Sequence, residues 1–402
     1  MPDASSATPA VPAAAPAGTI AARPLLLLAA AGFASATTLR VADPLLPQVA
    51  EEFGASVADA SVVATAYTLA YGLCQIVYGP LGDRWGKYAT ITVATLLGAF
   101  ATLAAALAGD LATLGLLRLA GGAAAAALIP LAMAYIGDHV PYESRQPVLA
   151  RFISGQILGI IAGQALGGIL GEFLGWRGVF VLFAAVYLVI AALLFVELRS
   201  PRVSDTRRPT GLTALVSAYR GLARSAAVRL VLAVVFIEGM LFFGAFTYLG
   251  AFLRQDYGFD YATIGLLLTA FGLGALAYTL TAARVVARLG QRGMVLAGGL
   301  LLAAGYGLFA LVPVWWALIP GVAVCGAGFY LFHNTLQTRA TQMAPQARGI
   351  AVTLFASALF LGQATGVALA GPAVEAVGFP PLFAAVALLL PALALWFRSR
   401  LP

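Results

Sequence analysis

The sequence predicts an all-α polytopic membrane protein with twelve transmembrane helices in two pseudo-symmetric six-helix bundles. Hydrophobic residues make up 61% of the chain and charged residues only 10%, whereas soluble domains carry about 25% charged residues. Apolar runs of about 20 residues, long enough to cross the hydrocarbon layer, recur throughout the sequence. Because these runs do not alternate with period two, helices are favoured over barrel strands.

The twelve spans are delimited by Gly, Pro and charged residues that interrupt the apolar runs. In the first half the predicted spans are 24–46, 60–79, 88–108, 111–136, 149–171 and 177–197. In the second half they are 229–253, 261–285, 293–312, 314–338, 349–374 and 379–397.

The basic residues predict the orientation of these spans. Of the 23 Lys and Arg residues, 19 lie on the same side as the N-terminus in this arrangement. The positive-inside rule therefore predicts that both termini are cytoplasmic. We expect a multi-pass protein of the cell inner (plasma) membrane. Its net charge of +7 is explained by the excess of basic residues on the cytoplasmic side. Membrane lipids are therefore the expected partners, and nucleic acid is not.

A long Arg-rich connection divides the chain into two related halves. Residues 1–22 are rich in Ala, Pro and Ser and predict a disordered cytoplasmic tail. The halves are 23–198 and 229–402, joined by a cytoplasmic linker at 199–228. Gly-Gln-Ala occurs at 163–165 in the fifth span and again at 362–364 in the eleventh. This recurrence indicates two parallel repeats in which 163 corresponds to 362, with a substrate site between them.

Other classes of function find little support in the sequence. Cys74 and Cys325 both fall inside apolar spans and are expected to pack rather than to form a disulfide. The two histidines and two cysteines form no cluster with metal-ligand spacing. No nucleophile–base pair or phosphate loop indicates an enzyme. We therefore expect no metal and no cofactor other than protons, and a monomeric protein.

A polar motif follows the second span. It reads Gly79-Pro80-Leu81-Gly82-Asp83-Arg84-Trp85-Gly86-Lys87-Tyr88 and predicts a tight Gly-assisted turn with one acid and two bases at the membrane surface. It resembles the hallmark loop of the major facilitator superfamily, G-x-x-x-D-R-x-G-R/K-R/K, except that Tyr88 replaces the last base.

Two further elements extend this resemblance to the twelve-span drug:proton antiporter branch of that superfamily. Arg118 and Gly122 resemble its R-x-x-x-G element, and Gly159, Gly163, Gly167 and Gly168 resemble its antiporter element. Gln164 stands where that element has proline, which weakens the link to antiport.

The resemblance implies the superfamily fold. It also implies a cytoplasmic gating motif formed by Gly79, Asp83, Arg84, Gly86 and Lys87, with Asp83 near the start of the eleventh span, where a helix dipole favours an anion. The alternative is a positive-inside turn with no gating role.

Four charged residues lie well inside predicted spans, away from the span ends, where charge is costly and usually functional. Asp43 and Arg118 reach similar depths from the outer surface, and Arg40 shares a helix face with Asp43. We hypothesise that Asp43 carries the coupled proton with Arg118 as its switchable partner; the alternative is a permanent ion pair. Glu238 is the second candidate, either for the proton or for a cationic substrate; the alternative is a carboxyl group kept protonated or bound to backbone and water.

Polar and aromatic residues could line a substrate cavity, which is typically apolar with a few placed polar groups. Each of them could instead be a packing residue, although His333 could also titrate during transport. The candidates are Tyr67, Tyr71, Gln75, Gln156, Gln164, Phe242, Tyr278, Tyr330, His333, Asn334 and Gln363.

The sequence therefore favours a proton-coupled exporter of small amphipathic or lipophilic compounds, acting by alternating access. This function corresponds to multidrug-type efflux by proton antiport and leads to drug resistance. The alternative is a proton symporter that imports a small organic anion or sugar, with Arg40 and Arg118 binding a carboxylate.

Overall fold

The computed structural model describes residues 21–205, 217, 219–222, 224–312, 314–344 and 348–401. This part of the chain is helical and contains no strand. The predicted tail at 1–22 lies almost entirely outside the described residues, as does much of the predicted linker at 199–228. Both therefore stay predictions.

Twelve helices in the described part of the chain cross the membrane. Ten continuous helices are long and apolar enough to do so, but two of these contain 57 and 51 residues. At 1.5 Å per residue each is more than twice the length needed for one crossing. Each is interrupted where a glycine adopts positive φ, at Gly175 (φ 68°) and Gly290 (φ 57°), and so accounts for two crossings.

We number the crossings α1 to α12. Those of the first half are α1 (Ala22–Arg40 and Ala42–Phe53), α2 (Val57–Ala60 and Val62–Trp85), α3 (Lys87–Ala106), α4 (Leu111–Ala125 and Leu128–His139), α5 (142–174) and α6 (176–198). Those of the second half are α7 (Ala226–Phe246 and Leu249–Tyr257), α8 (261–289), α9 (291–311), α10 (Leu318–Gln342, after a 3-10 turn at Trp315–Ala317), α11 (Arg348–Val377) and α12 (Phe379–Ser399).

Proline explains two of the helix breaks. A proline ring clashes with the carbonyl four residues earlier and removes one helical hydrogen bond. Pro44 acts in this way on Arg40, and α1 breaks at Val41. Pro130 acts on Ala126, where α4 breaks. The prediction that the first span ends at residue 46 is wrong, because α1 resumes after the break and continues to Phe53.

The two halves repeat each other in their backbone conformation. All positive-φ glycines of the described chain fall into pairs of equivalent positions: Gly54 with Gly258, Gly86 with Gly290, and Gly175 with Gly378. The helix contacts repeat in the same register. Gly122 packs on the carbonyl of Tyr67, and the equivalent Gly326 packs on the carbonyl of Phe271.

The register drawn from the Gly-Gln-Ala recurrence, in which 163 corresponds to 362, is wrong by one helical turn. Gly159 and Gly163 of α5 pack on the carbonyls of Phe33 and Thr37 of α1. The residues that make the same contacts in the second half are Gly362 and Gly366 of α11, which pack on Phe236 and Met240 of α7. Gly159 therefore corresponds to Gly362, and Gly163 to Gly366. A Cβ at Gly159 or Gly163 would meet backbone atoms of α1. The predicted packing role of the glycine face on α5 is therefore confirmed.

Since the number of crossings is even, the start of α1 and the end of α12 lie on one side of the membrane, which we call the termini side. The loops at 54–56 and 258–260 lie on the opposite side. The polar contacts that join the two halves are concentrated at mid-membrane and on the opposite side. At mid-membrane, the Ser357 hydroxyl donates to the Gly72 carbonyl over 2.7 Å.

Candidate functional site

An acid–base pair lies at the break in α1, in the middle of the bundle. Nη1 of Arg40 is 3.6 Å from Oδ2 of Asp43, and these residues are only 4% and 1% exposed. Arg40 also reaches the second half. Its Cζ lies 4.0 Å from the ring centroid of Phe243, and its Nη2 donates to Oε1 of Gln363 over 3.5 Å. Arg40 thus connects the acid on α1 to α7 and α11.

Arg118 is near this pair but makes no ion pair with Asp43 in this state, which contradicts the alternative of a permanent pair; its role as a switchable partner stays a prediction. Its Nε donates to the Val63 carbonyl over 3.1 Å, and its Nη2 donates to the Thr38 carbonyl over 3.3 Å. Thr38 belongs to the last turn before the break in α1, where carbonyls lack intrahelical partners. Arg118 satisfies one of these carbonyls, and Asp43 is paired with Arg40 instead.

A second acid–base pair lies in the second half. Nδ1 of His333 on α10 is 2.8 Å from Oε2 of Glu238 on α7, and Glu238 is fully buried. The other carboxylate oxygen, Oε1, has no hydrogen-bond partner among the described residues. Glu238 and His333 were predicted to lie in the site as separate residues, and the structure brings them into direct contact.

Aromatic rings connect the two acid–base pairs. The Phe243 ring, which stacks under Arg40, lies 5.1 Å from the ring of Phe329. The Phe329 ring in turn stacks on the His333 imidazole, with centroids 4.9 Å apart. A continuous row of contacts therefore runs from Asp43 to Glu238 across the interface between the halves.

Several predicted cavity residues belong to this aromatic region. The Phe242 ring stacks on that of Phe329 at 4.8 Å, and Tyr330 lies 5.5 Å from the same ring. In the first half, Tyr67 and Tyr71 stack on each other at 6.2 Å. Both halves therefore contribute aromatic walls.

The polar residues predicted to line the cavity differ in their hydrogen bonding. Asn334 donates to the Tyr278 hydroxyl over 2.6 Å, which fixes both side chains. Gln164 is fully buried, and neither its amide nitrogen nor its amide oxygen has a hydrogen-bond partner among the described residues. Gln75 is buried with its Oε1 unpartnered in the same part of the chain. Gln156 is partly buried on α5.

Sequence reasoning missed three of the residues that complete this region: Ser35, Phe329 and Phe360. The Ser35 hydroxyl lies 3.4 Å from that of Tyr71, and the Phe360 ring contacts Tyr71 across the interface at 4.4 Å. A phenylalanine or serine within an apolar span carries no signal that distinguishes a cavity position from a packed one.

The motif predicted to act in gating is helical up to Trp85, so the predicted turn is wrong for most of its length. Gly79 lies inside α2 with open space at its Cβ position, and only Gly86 has positive φ, at 100°. The chain turns there because Gly86 ends α2 and precedes α3. Arg84 is exposed beside this turn.

Asp83 is engaged within its own half. Nζ of Lys87 lies 2.8 Å from Oδ1 of Asp83 and 2.8 Å from Oδ2 of Asp138 on α4. The predicted position of Asp83 near the start of α11 involves residues 345–347, which lie outside the described part of the chain.

An unexpected acid caps α3 in this region. Both carboxylate oxygens of Asp205, at the start of the linker, accept hydrogen bonds from the Tyr88 and Ala89 amides over 2.9 and 3.0 Å. A side chain at position 86 would occupy the space of this carboxylate. The linker is therefore anchored to the first half at its beginning.

Comparison with known proteins is consistent with this architecture. The family model described as Major Facilitator Superfamily matches residues 28–263 and 249–402. The chain is 28% identical over 350 residues to the uncharacterized MFS-type transporter YceJ of Bacillus subtilis (strain 168), covering 84% of this chain and 86% of that protein. It is 27% identical over 345 residues to a chloramphenicol resistance protein of Streptomyces lividans, covering 85% of this chain and 87% of that protein.

A solved structure shows the same fold. A crystal structure of a mutant of the nucleoside transporter NupG superimposes with a TM-score of 0.78 at 14% identity, covering 94% of this chain and all of that one. The family model spans both halves described above. The protein therefore belongs to the Major Facilitator Superfamily.

Proposed function

We propose that this protein is a proton-coupled secondary transporter that exports small amphipathic or lipophilic compounds by proton antiport and alternating access. The observation that supports it most directly is the pair of buried acid–base contacts, Arg40–Asp43 and His333–Glu238. They lie on opposite sides of the interface between two halves that must move against each other during alternating access.

Proton coupling follows from the partners of Asp43. Burial and a neighbouring base act in opposite directions on the proton affinity of a carboxyl group. Arg40 is shared between Asp43 in its own half and Phe243 and Gln363 in the other. Movement of the halves therefore changes the distance between Arg40 and Asp43, and with it the affinity of Asp43 for a proton.

Export of apolar compounds is supported by the walls of the central region. Aromatic rings dominate it, and only a few polar side chains are present, as in sites for small lipophilic ligands. Polar atoms of the buried Gln164 and Gln75 have no hydrogen-bond partner among the described residues. The relative from Streptomyces lividans is named a chloramphenicol resistance protein, and we take chloramphenicol as the first candidate substrate.

For the orientation we propose that the termini side faces the cytoplasm, as the positive-inside rule predicts. Transport would then take place in the plasma membrane, with protons entering from the opposite side. We further propose that the protein acts as a monomer surrounded by lipid, without a metal or organic cofactor.

The test is transport by purified protein in proteoliposomes with an imposed pH gradient, using chloramphenicol and the amphipathic cation ethidium. Antiport drives either compound toward the acidic compartment, because protons leave that compartment in exchange. A protonophore that collapses the gradient should abolish the accumulation. Gradient-independent equilibration, or no transport of either compound, would contradict the proposal.

One observation favours the alternative of proton symport. Arg118 is buried and hydrogen-bonded only to neutral carbonyls among the described residues, so an anionic substrate could supply its missing counter-charge. A symporter would accumulate an organic anion in the alkaline compartment of the same proteoliposomes. The direction of accumulation therefore separates the two functions.

A further inference from the structure

On the side opposite the termini, two glutamates of the first half contact the beginning of α8 in the second half. Oε2 of Glu172, at the end of α5, accepts a hydrogen bond from the Tyr261 amide over 2.9 Å. Oε2 of Glu51, near the end of α1, accepts one from the Tyr261 hydroxyl over 2.8 Å. Oε1 of Glu51 lies 3.3 Å from Nε of Arg254 on α7.

The position of Glu172 is electrostatically favourable. Tyr261 is the first residue of its helix, and amides of the first turn have no intrahelical acceptor. The N-cap Asp260 accepts the Thr263 amide over 2.6 Å, which leaves the Tyr261 amide for another acceptor. Glu172 supplies that acceptor and places its charge at the positive end of the helix dipole.

The backbones of α5 and α8 are in direct contact beside this hydrogen bond. A Cβ on Gly168 of α5 would collide with the Tyr261 carbonyl and with Gly265, and a Cβ on Gly265 would collide with the Gln164 carbonyl. Any opening of this side that separates α5 from α8 must therefore break the hydrogen bond from Tyr261 to Glu172.

The internal repeat supplies a counterpart for each of these acids. In the register that pairs Gly163 with Gly366, the counterpart of Glu172 is Glu375, near the end of α11. In the register that pairs Gly54 with Gly258, the counterpart of Glu51 is Gln255. Glu375, like Glu172, is exposed, but it makes no hydrogen bond or ion pair among the described residues. Together with the start of α2 it lines a cleft of about 580 Å³ between the halves. Of these two equivalent acids, only Glu172 is engaged across the interface.

We propose that Glu172, assisted by Glu51, is the residue that holds the side opposite the termini closed. Its hydrogen bond to the start of α8 stabilises the state described here, and loss of the carboxylate charge shifts the protein toward opening on this side. This inference rests on the alternating access of the proposed function, but it concerns the conformational equilibrium and not the transported compound.

The experiment measures the separation of the halves in the absence of substrate. Spin labels are placed at Leu107 and Leu311, which are equivalent positions at the ends of α3 and α9 and are 76% and 78% exposed. Cys74 and Cys325 are first replaced by alanine. Double electron–electron resonance then reports the distance distribution across this side in lipid nanodiscs, for the parent protein and for Glu172→Gln.

Glu172→Gln is expected to raise the ratio of open to closed molecules about ten-fold, which corresponds to about 1.4 kcal/mol and to the loss of one charge-assisted hydrogen bond. Glu172→Asp, which keeps the charge, is expected to retain part of the closed population. Glu51→Gln should shift the ratio in the same direction as Glu172→Gln.

Glu375→Gln is the matched control, because it removes the same charge at the equivalent position of the other half. It is expected to leave the distance distribution unchanged. The proposal is overturned if Glu172→Gln leaves the distribution unchanged, or if Glu375→Gln shifts it equally. Because no substrate or proton gradient is used, this outcome is independent of whether the transport assay identifies an antiporter.

Discussion

Asp43 and Arg40 lie three residues apart on either side of the break in α1. Pro44 interrupts α1 at Val41, so that Arg40 ends one helical segment and Asp43 lies in the first turn of the next. Val41 keeps helical dihedral angles, so the two side chains share one face, as the sequence analysis predicted, and pair with each other. The ionisable residues could be chosen from the sequence, because charge inside a span is costly. The proximity of Arg40 to Asp43 could also be predicted from their spacing. The carbonyls that Arg118 reaches and the contacts of Arg40 with Phe243 and Gln363 could not, because they depend on packing between helices.

We predict that Asp43→Asn reduces proton-driven transport at least ten-fold, because asparagine cannot bind and release the coupled proton. The measurement is the initial rate of gradient-driven accumulation in proteoliposomes. Asp110→Asn is the control, since Asp110 is an exposed N-cap in a loop. Unchanged gradient-driven accumulation by Asp43→Asn would exclude Asp43 as the coupling acid.

The contact between Glu238 and His333 gives a second prediction at this scale. Removing one partner of a buried polar contact leaves the other unsatisfied. His333→Phe should therefore lower thermal stability more in the parent protein than in a Glu238→Gln background, with a coupling energy of about 1–3 kcal/mol. Thermal unfolding of the parent protein, the two single variants and the double variant in one detergent measures this coupling energy. Strict additivity would show that the two side chains are not coupled.

At the scale of helices, the number and type of crossings could be predicted because apolar length and charge position are local properties. Features that depend on packing between helices were not predicted correctly. The motif at residues 79–88 is rich in glycine and contains a proline, and it was interpreted as a turn, yet it belongs to α2 as far as Trp85. The close packing of Gly82 on Leu131 shows why a glycine there serves the helix contact instead.

The two ends of this motif should respond differently to substitution. Gly86→Ala is expected to lower stability by about 1–3 kcal/mol, because φ of 100° is strained for alanine and the methyl group would displace Asp205. Gly79→Ala, in a helix with open space, should have no destabilising effect. Thermal unfolding compares the variants. Equal destabilisation would restore the view that the whole motif is a turn.

The whole molecule is a repeat in its backbone but not in its charges. Equivalent glycines and helix contacts recur in the two halves, whereas Glu238 corresponds to Ser35 and Arg118 to Val322. The repeat could be detected in the sequence, but its register could not. Glycines recur at every fourth position on α5, so a shift of one turn gives an almost equally good alignment, and only the helix contacts distinguish the two.

The orientation of the molecule leads to a prediction for intact cells. A cysteine at Gly109, in the exposed loop between α3 and α4, should react with a membrane-impermeant maleimide added outside. A cysteine at Ser200, on the termini side, should react only after the membrane is permeabilised. Cys74 and Cys325 are replaced by alanine in both proteins. The reverse labelling pattern would place the termini outside the cell.

The contact between α1 and α7 bears on whether the two halves could be identical polypeptides. Arg40 contacts Phe243, and these two residues are equivalent positions facing each other, as on the axis of a symmetric dimer. Two identical copies of the first half, assembled in the same way, would set Arg40 against a second Arg40. Fusion into one polypeptide lets each half carry the complement of the other, so a split protein should reassemble only from unlike fragments.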